Sequence, residues 1–135
     1  FEFLAEDKQM RFVLALEKGI QIYANADLLK RALSNLLINA IDYGFENQDI
    51  VISTKSTGDY VDIAVLTKNI FIDKQHLNHL FERFYQIDSS RHAKAKTGGL
   101  GLSIVKSIMM LHNGEVNAYN SHQGIVFSLK IKHLT

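Results

Sequence analysis

Arg31, Asn35, Asn39 and Asp42 recur at intervals of four, four and three residues. At about 100° per residue this spacing gathers them into one narrow polar stripe of a helix. Asn39 sits at the border with the apolar face, where a side chain is partly buried. An amide oxygen there is a neutral ligand for Mg²⁺ that does not compete for a proton. On the helix alone, the same two asparagines also fit a plain solvated face. A second candidate is Gly98-Gly99-Leu100-Gly101-Leu102, which directly precedes a strongly periodic apolar segment. Glycines let backbone N–H groups approach a phosphate, and a helix N-terminus adds positive potential. By itself such a cluster is also a common turn. No Gly-Lys-Ser/Thr follows, so it is not a P-loop, and no strand feeds directly into it as a Rossmann fingerprint requires.

The elements that would hold these groups follow from periodicity. Asp27 has the chemistry of a helix N-terminus, and from there to Tyr43 the residues Leu29, Ala32, Leu33, Leu36, Leu37, Ala40 and Ile41 recur at helical spacing. Gly44 is placed to end that helix as a cap. Residues 11–16 and 20–24 read as strands around Glu17-Lys18-Gly19, and 49–56 and 60–66 as a hairpin around Thr57-Gly58-Asp59. Residues 73–81 form a short helix. Residues 85–98 are polar, carry Arg91, Lys94 and Lys96, and read as a mobile loop. A second strong helix covers 100–112 with Asn113-Gly114 as its cap, and strands at 115–120 and 125–132 turn at Gln123-Gly124. The expected fold is α+β, a two-layer sandwich.

The chain of 135 residues suits one compact domain, residues 1–135. It has no cysteine, which excludes thiolate metal sites and disulfides. A net charge of +1 predicts no strong attraction to DNA or an acidic membrane. No apolar run approaches the roughly 20 residues of a membrane span, and no secretory signal pattern opens the sequence. A membrane anchor is expected only outside these residues. His76 and His79 lie one helical turn apart, but no obvious carboxylate set completes a metal site around them.

Taken together, the segments resemble the ATP-binding catalytic domain of bacterial sensor histidine kinases, within the gyrase–chaperone–kinase–MutL ATPase superfamily. Asn35-Leu36-Leu37-Ile38-Asn39-Ala40 looks like its asparagine box and Leu80-Phe81-Glu82-Arg83-Phe84-Tyr85 its phenylalanine box. Gly99-Leu100-Gly101-Leu102-Ser103-Ile104-Val105-Lys106 looks like its second glycine box, and Gly124-Ile125-Val126-Phe127 resembles the small glycine turn near its end. The resemblance implies a Bergerat-type fold, a mixed sheet of about five strands covered on one face by about three helices. It implies ATP and Mg²⁺ as cofactors. Asn39 would coordinate Mg²⁺ with help from Asn35, and Tyr43 would lie near the phosphates or ribose. Gly99, Leu100, Gly101 and Leu102 would line the phosphates. Residues 85–98 would be the ATP lid, with Arg91, Lys94 and Lys96 as phosphate contacts and Phe81 and Phe84 packed at its base.

By the same resemblance, the γ-phosphoryl group goes to a histidine on a separate dimerisation domain, and thence to a response regulator. That acceptor domain has no counterpart in this chain, so the fragment is not expected to act alone. The parent protein would be an inner-membrane sensor with this domain in the cytoplasm. Related ATPases that hydrolyse ATP carry a glutamate where Asn35 stands. An amide cannot take a proton from water, which argues against an ATP-hydrolysing switch. Asp88-Ser89-Ser90-Arg91 and Ser103-Ile104-Val105-Lys106-Ser107-Ile108 are similar to the heavy-metal-responsive subgroup.

The resemblance breaks at the family's first glycine box, an Asp-x-Gly-x-Gly loop. Thr67-Lys68-Asn69-Ile70-Phe71 stands there instead. Thr67 can accept a hydrogen bond from adenine only without charge, and Phe71 is expected to narrow the adenine pocket or shift the loop. Asp42 stands where relatives carry a cation. These departures motivate an alternative, a degenerate nucleotide-binding or pseudokinase module that works through protein contacts.

Overall fold

A computed structural model describes residues 10–16, 19, 22, 24–44, 47–85 and 101–132. Its elements run β1 (Arg11–Ala15), α1 (Ala26–Tyr43), β2 (Asp49–Thr57), β3 (Tyr60–Lys68), α2 (Lys74–Leu77), α3 (Gly101–Leu111), β4 (Glu115–Ser121) and β5 (Gly124–Lys132). The five strands form one mixed sheet in the order β1-β2-β3-β5-β4. β1 is parallel to β2, and the other three pairings are antiparallel. This is the expected α+β sandwich.

One pairing differs from the sequence reading. The hairpin anticipated between 11–16 and 20–24 is absent among the described residues, where β1 pairs with β2 instead. β1, α1 and β2 therefore make a crossover of the kind that parallel strands require. Of the second anticipated strand, residues 20, 21 and 23 lie outside the described set, and Ile22 forms an isolated bridge.

The alternation in β3 explains the layering. Val61, Ile63, Val65 and Thr67 are buried, whereas the intervening residues are not. Their β5 partners Ile131, Leu129, Phe127 and Ile125 are buried on the same face. Onto this face α1 turns Ala32, Leu36, Ala40 and Ile41, and α3 turns Val105, Ile108 and Met109. The open face ends in an exposed ion-pair row in which Asp49 meets Arg11 at 3.1 Å and Lys68 at 3.9 Å. Exposed pairs of this kind add little stability.

The helix ends refine the expectations. α1 is capped by Asn25, whose side chain accepts from Leu28 N–H at 3.1 Å, while Asp27 sits in the first turn. Gly44 follows α1 without a left-handed cap, at φ −67°. Its missing side chain serves packing, because a Cβ would meet Met10 Cε at 2.3 Å and Ala40 O at 2.8 Å. α3 ends in a Schellman arrangement. Asn113 takes the left-handed φ of 53°, and the N–H groups of Asn113 and Gly114 donate to the carbonyls of Met110 and Met109. The helix expected over 73–81 is regular only over Lys74–Leu77 and continues as turns. The final turn is His122-Gln123, one residue earlier than anticipated, with Ser121 Oγ accepting from the N–H groups of Gln123 and Gly124.

Candidate functional site

α1 and α3 lie side by side in opposite directions. At one end, the N–H of Asn25 donates to His112 Nε2 at 3.0 Å, so the start of α1 meets the end of α3. His112 Nδ1 lies 2.8 Å from Ile108 O, which can only accept. The ring therefore carries its proton on Nδ1, and one imidazole ties the two helices together. α3 has 11 residues and spans about 15 Å. The same distance along α1 from Asn25 reaches about Asn35, with Asn39 one turn beyond. The antiparallel pairing thus brings the polar stripe of α1 to the N-terminus of α3.

Asn35 and Asn39 are both half-buried, as is Tyr43 at the end of α1. Gly101 is the first residue of α3 and is buried, while Leu102 packs against the core. The Leu102 side chain is partly buried in this packing. Arg91, Lys94, Lys96, Gly99 and Leu100 lie outside the described residues. Between α1 and α3, Leu28, Arg31, Arg83, Ser103, Ile104, Ser107, Ile108 and Leu111 line an open cleft of about 450 Å³. Arg31, from the asparagine stripe, thereby shares one wall system with Arg83, far away in sequence.

Thr67 is buried on the helix-facing side of β3, 1% exposed. The chain after it is held on several sides. Asn69 takes a left-handed φ of 64°, its N–H donates to Gln123 O, and its amide donates to Gln48 Oε1 at 2.5 Å. Ile70 O accepts from Ile125 N–H at 2.7 Å. The Asn120 amide pairs twice with the backbone of Ile72, accepting at 3.0 Å and donating at 2.7 Å. Gly124 makes this corner possible, since a Cβ there would stand 2.1 Å from Thr67 O. Phe71 is 57% exposed, so its ring points away from the packed interior rather than filling it.

The segment 81–85 departs from expectation in one residue. Phe81 packs as foreseen, edge-on to Phe127 with centroids 6.3 Å apart. Phe84 does not pack: it is 65% exposed at a left-handed φ of 66°, with Arg83 over its ring at 5.5 Å. Among the described residues no group of three or more His, Asp or Glu side chains is arranged to hold a metal. His76 pairs with Tyr85 and His79 with Glu82.

Residues 24–135 match the family model of the histidine kinase-, DNA gyrase B- and HSP90-like ATPases. The chain belongs to this family. It is 38% identical over 133 residues to the sensor histidine kinase CusS of Escherichia coli K12, covering 97% of this chain and 27% of that protein. It is 39% identical over 114 residues to the sensor protein IrlS of Burkholderia pseudomallei, covering 84% of this chain and 24% of that protein. The chain thus spans about a quarter of these relatives. Among solved structures, the catalytic domain of the histidine kinase ThkA superposes with a TM-score of 0.85 at 25% identity, covering 98% of this chain and 84% of that one. ThkA has also been solved in complex with the response regulator TrrA, with a TM-score of 0.81 and 25% identity over 99% of this chain and 37% of that one. Membership accounts for the α1–α3 arrangement as part of an ATPase-type fold. Sequence reasoning missed His112 and Asn120, because each acts on backbone groups distant in sequence, and Asn25, because Asp27 suits a helix cap equally well.

Proposed function

We propose that this chain is the Mg-ATP-binding part of a sensor histidine kinase, donating the γ-phosphoryl group to a histidine on a separate dimerisation domain. The observation that carries the reading is the antiparallel α1–α3 pair, which brings the Asn35–Asn39 stripe to the glycine-started end of α3. Two neutral amide oxygens are too few for a resident ion. They suit Mg²⁺ that arrives with nucleotide, because that ion keeps most of its ligands as water and phosphate. Asn39 would hold the ion with Asn35 beside it, and the ion would neutralise phosphate charge. Tyr43 would flank the ribose or phosphates, the backbone of Gly99–Leu102 would cradle them, and Arg91, Lys94 and Lys96 would approach from the lid. Thr67 would face the base. Such an arrangement works by positioning and charge neutralisation and needs no general base on Asn35.

The acceptor domain and a response regulator are the partners this reading requires. ThkA, solved with a response regulator, supports that class of partner. No described helix is long and apolar enough to cross a membrane, and the reading places any anchor elsewhere in the parent kinase. The runs Asp88–Arg91 and Ser103–Ile108 point within this reading to the heavy-metal-responsive subgroup. The test is calorimetric titration with a Mg-bound non-hydrolysable ATP analogue, followed by phosphohistidine formation once the acceptor domain is supplied. Asn39→Ala is expected to abolish labelling, and labelling that survives it contradicts the assignment. The buried Thr67 and the tightly held 69–72 segment favour a second reading, a module that has lost nucleotide binding. Absence of heat at millimolar analogue would select it.

A further inference from the structure

The turn ending at Tyr85 is strained, and its neighbours are arranged to hold it. Phe84 adopts φ 66°, a region that bulky aromatic residues rarely enter, and its ring gains little burial in return. Such a conformation persists only where surrounding contacts impose it. The contacts are on the next residue. Tyr85 Oη lies 2.5 Å from His76 Nδ1. The Tyr85 ring stacks on His79 with centroids 5.4 Å apart and tilts against His76 at 5.8 Å. His79 is itself fixed by Glu82 Oε2 at 2.6 Å, and Tyr85 N–H donates to Glu82 O. Two imidazoles from the α2 region thus grip one phenol. On the other side of Phe84, Arg83 lines the α1–α3 cleft together with Arg31 and Ser103.

We infer that His76 and His79 are positioning residues: by gripping Tyr85 they impose the left-handed turn at Phe84 and keep Arg83 on the wall of the α1–α3 cleft. The inference rests on the nucleotide reading above, because its readout is affinity for nucleotide at the neighbouring phosphate end. A held turn presents Arg83 in one orientation, whereas a released turn lets Phe84 relax to negative φ and withdraws it. Preorganised positive groups bind an anion more tightly than groups that must first be ordered.

The test is a set of affinities of the whole chain for Mg-bound AMP-PNP. Tyr85→Phe removes only the hydroxyl, and His76→Ala removes its partner. Each is expected to weaken binding about three- to tenfold, the scale of one hydrogen bond, and the double variant no more than either alone. Phe84→Gly supplies a residue that enters positive φ freely, so the turn no longer needs the grip. In that background Tyr85→Phe is expected to change affinity by less than about twofold. A purely structural role for the cluster would lower the melting temperature but would not yield this rescue. Affinities of Tyr85→Phe and His76→Ala within twofold of the unaltered chain overturn the inference, as does a Phe84→Gly background that fails to rescue. Asn39→Ala separates the two levels. If it loses binding while the cluster variants do not, the grip fails and the nucleotide reading stands. If it binds as the unaltered chain does, the nucleotide reading fails, and the rescue pattern alone judges the grip. A chain that binds no analogue overturns both.

Discussion

Gly124 and Thr67 meet backbone to backbone, and each predicts a measurable change. A methyl group on Gly124 would be forced to 2.1 Å from Thr67 O at a φ of 149°, so both space and backbone oppose it. Gly124→Ala is expected to destabilise the fold by about 2–4 kcal/mol, read from urea unfolding midpoints. Thr67→Asp should do two opposite things. Burying a carboxylate where Thr67 is 1% exposed lowers the melting temperature without ligand. A charged acceptor facing the base then strengthens binding of the ATP analogue about ten- to thirtyfold. Unchanged affinity would remove Thr67 from the base site. The sequence displayed Thr67 and Gly124 as a departure and a turn. Their mutual approach was not legible, because sheet register joins residues more than fifty positions apart. Phe71 shows the same limit. Its bulk was legible, but the direction of its ring depends on the bonds that Asn120, Gln123 and Ile125 make to the surrounding backbone.

Among the elements, α1 and α3 were the most legible, because their apolar residues recur at helical spacing over several turns. Their boundaries were less so. Asn25 rather than Asp27 caps α1, since either residue type suits the cap and only geometry selects one. Pairing was least legible: β1 reads as half of a hairpin, yet it finds its parallel partner across α1. The pin between the two helices rests on His112, which accepts from Asn25 N–H and donates to Ile108 O. Nitrogen chemical shifts should show His112 in the Nδ1-protonated tautomer at neutral pH. His112→Ala is expected to cost about 1–2 kcal/mol, since it leaves two backbone groups without that partner. A stability unchanged by this substitution, with the other tautomer in the spectrum, would mean that the pin is not formed in solution.

Across the whole molecule the two layers divide the proposed ligand between them. In the proposed reading the helices would carry the phosphate end, through Asn35, Asn39 and the start of α3, and the sheet would carry the base end, through the corner after β3. The first end keeps its chemistry, whereas the second has exchanged an acceptor-only carboxylate for a hydroxyl that both donates and accepts. Affinity should therefore follow the phosphates more than the base. Adenosine is expected to bind too weakly to detect at millimolar concentration, and chelating Mg²⁺ should weaken analogue binding on the order of tenfold. Guanine presents a carbonyl where adenine has an amino group, and a hydroxyl can meet either. The preference for ATP over GTP should accordingly stay below about a hundredfold, far short of a site that leaves a buried polar group unpaired with the wrong base. Competition of both triphosphates against a fluorescent ATP analogue measures this ratio. A preference of several thousandfold would show that the corner at Thr67–Ile72 reads adenine with a group other than Thr67.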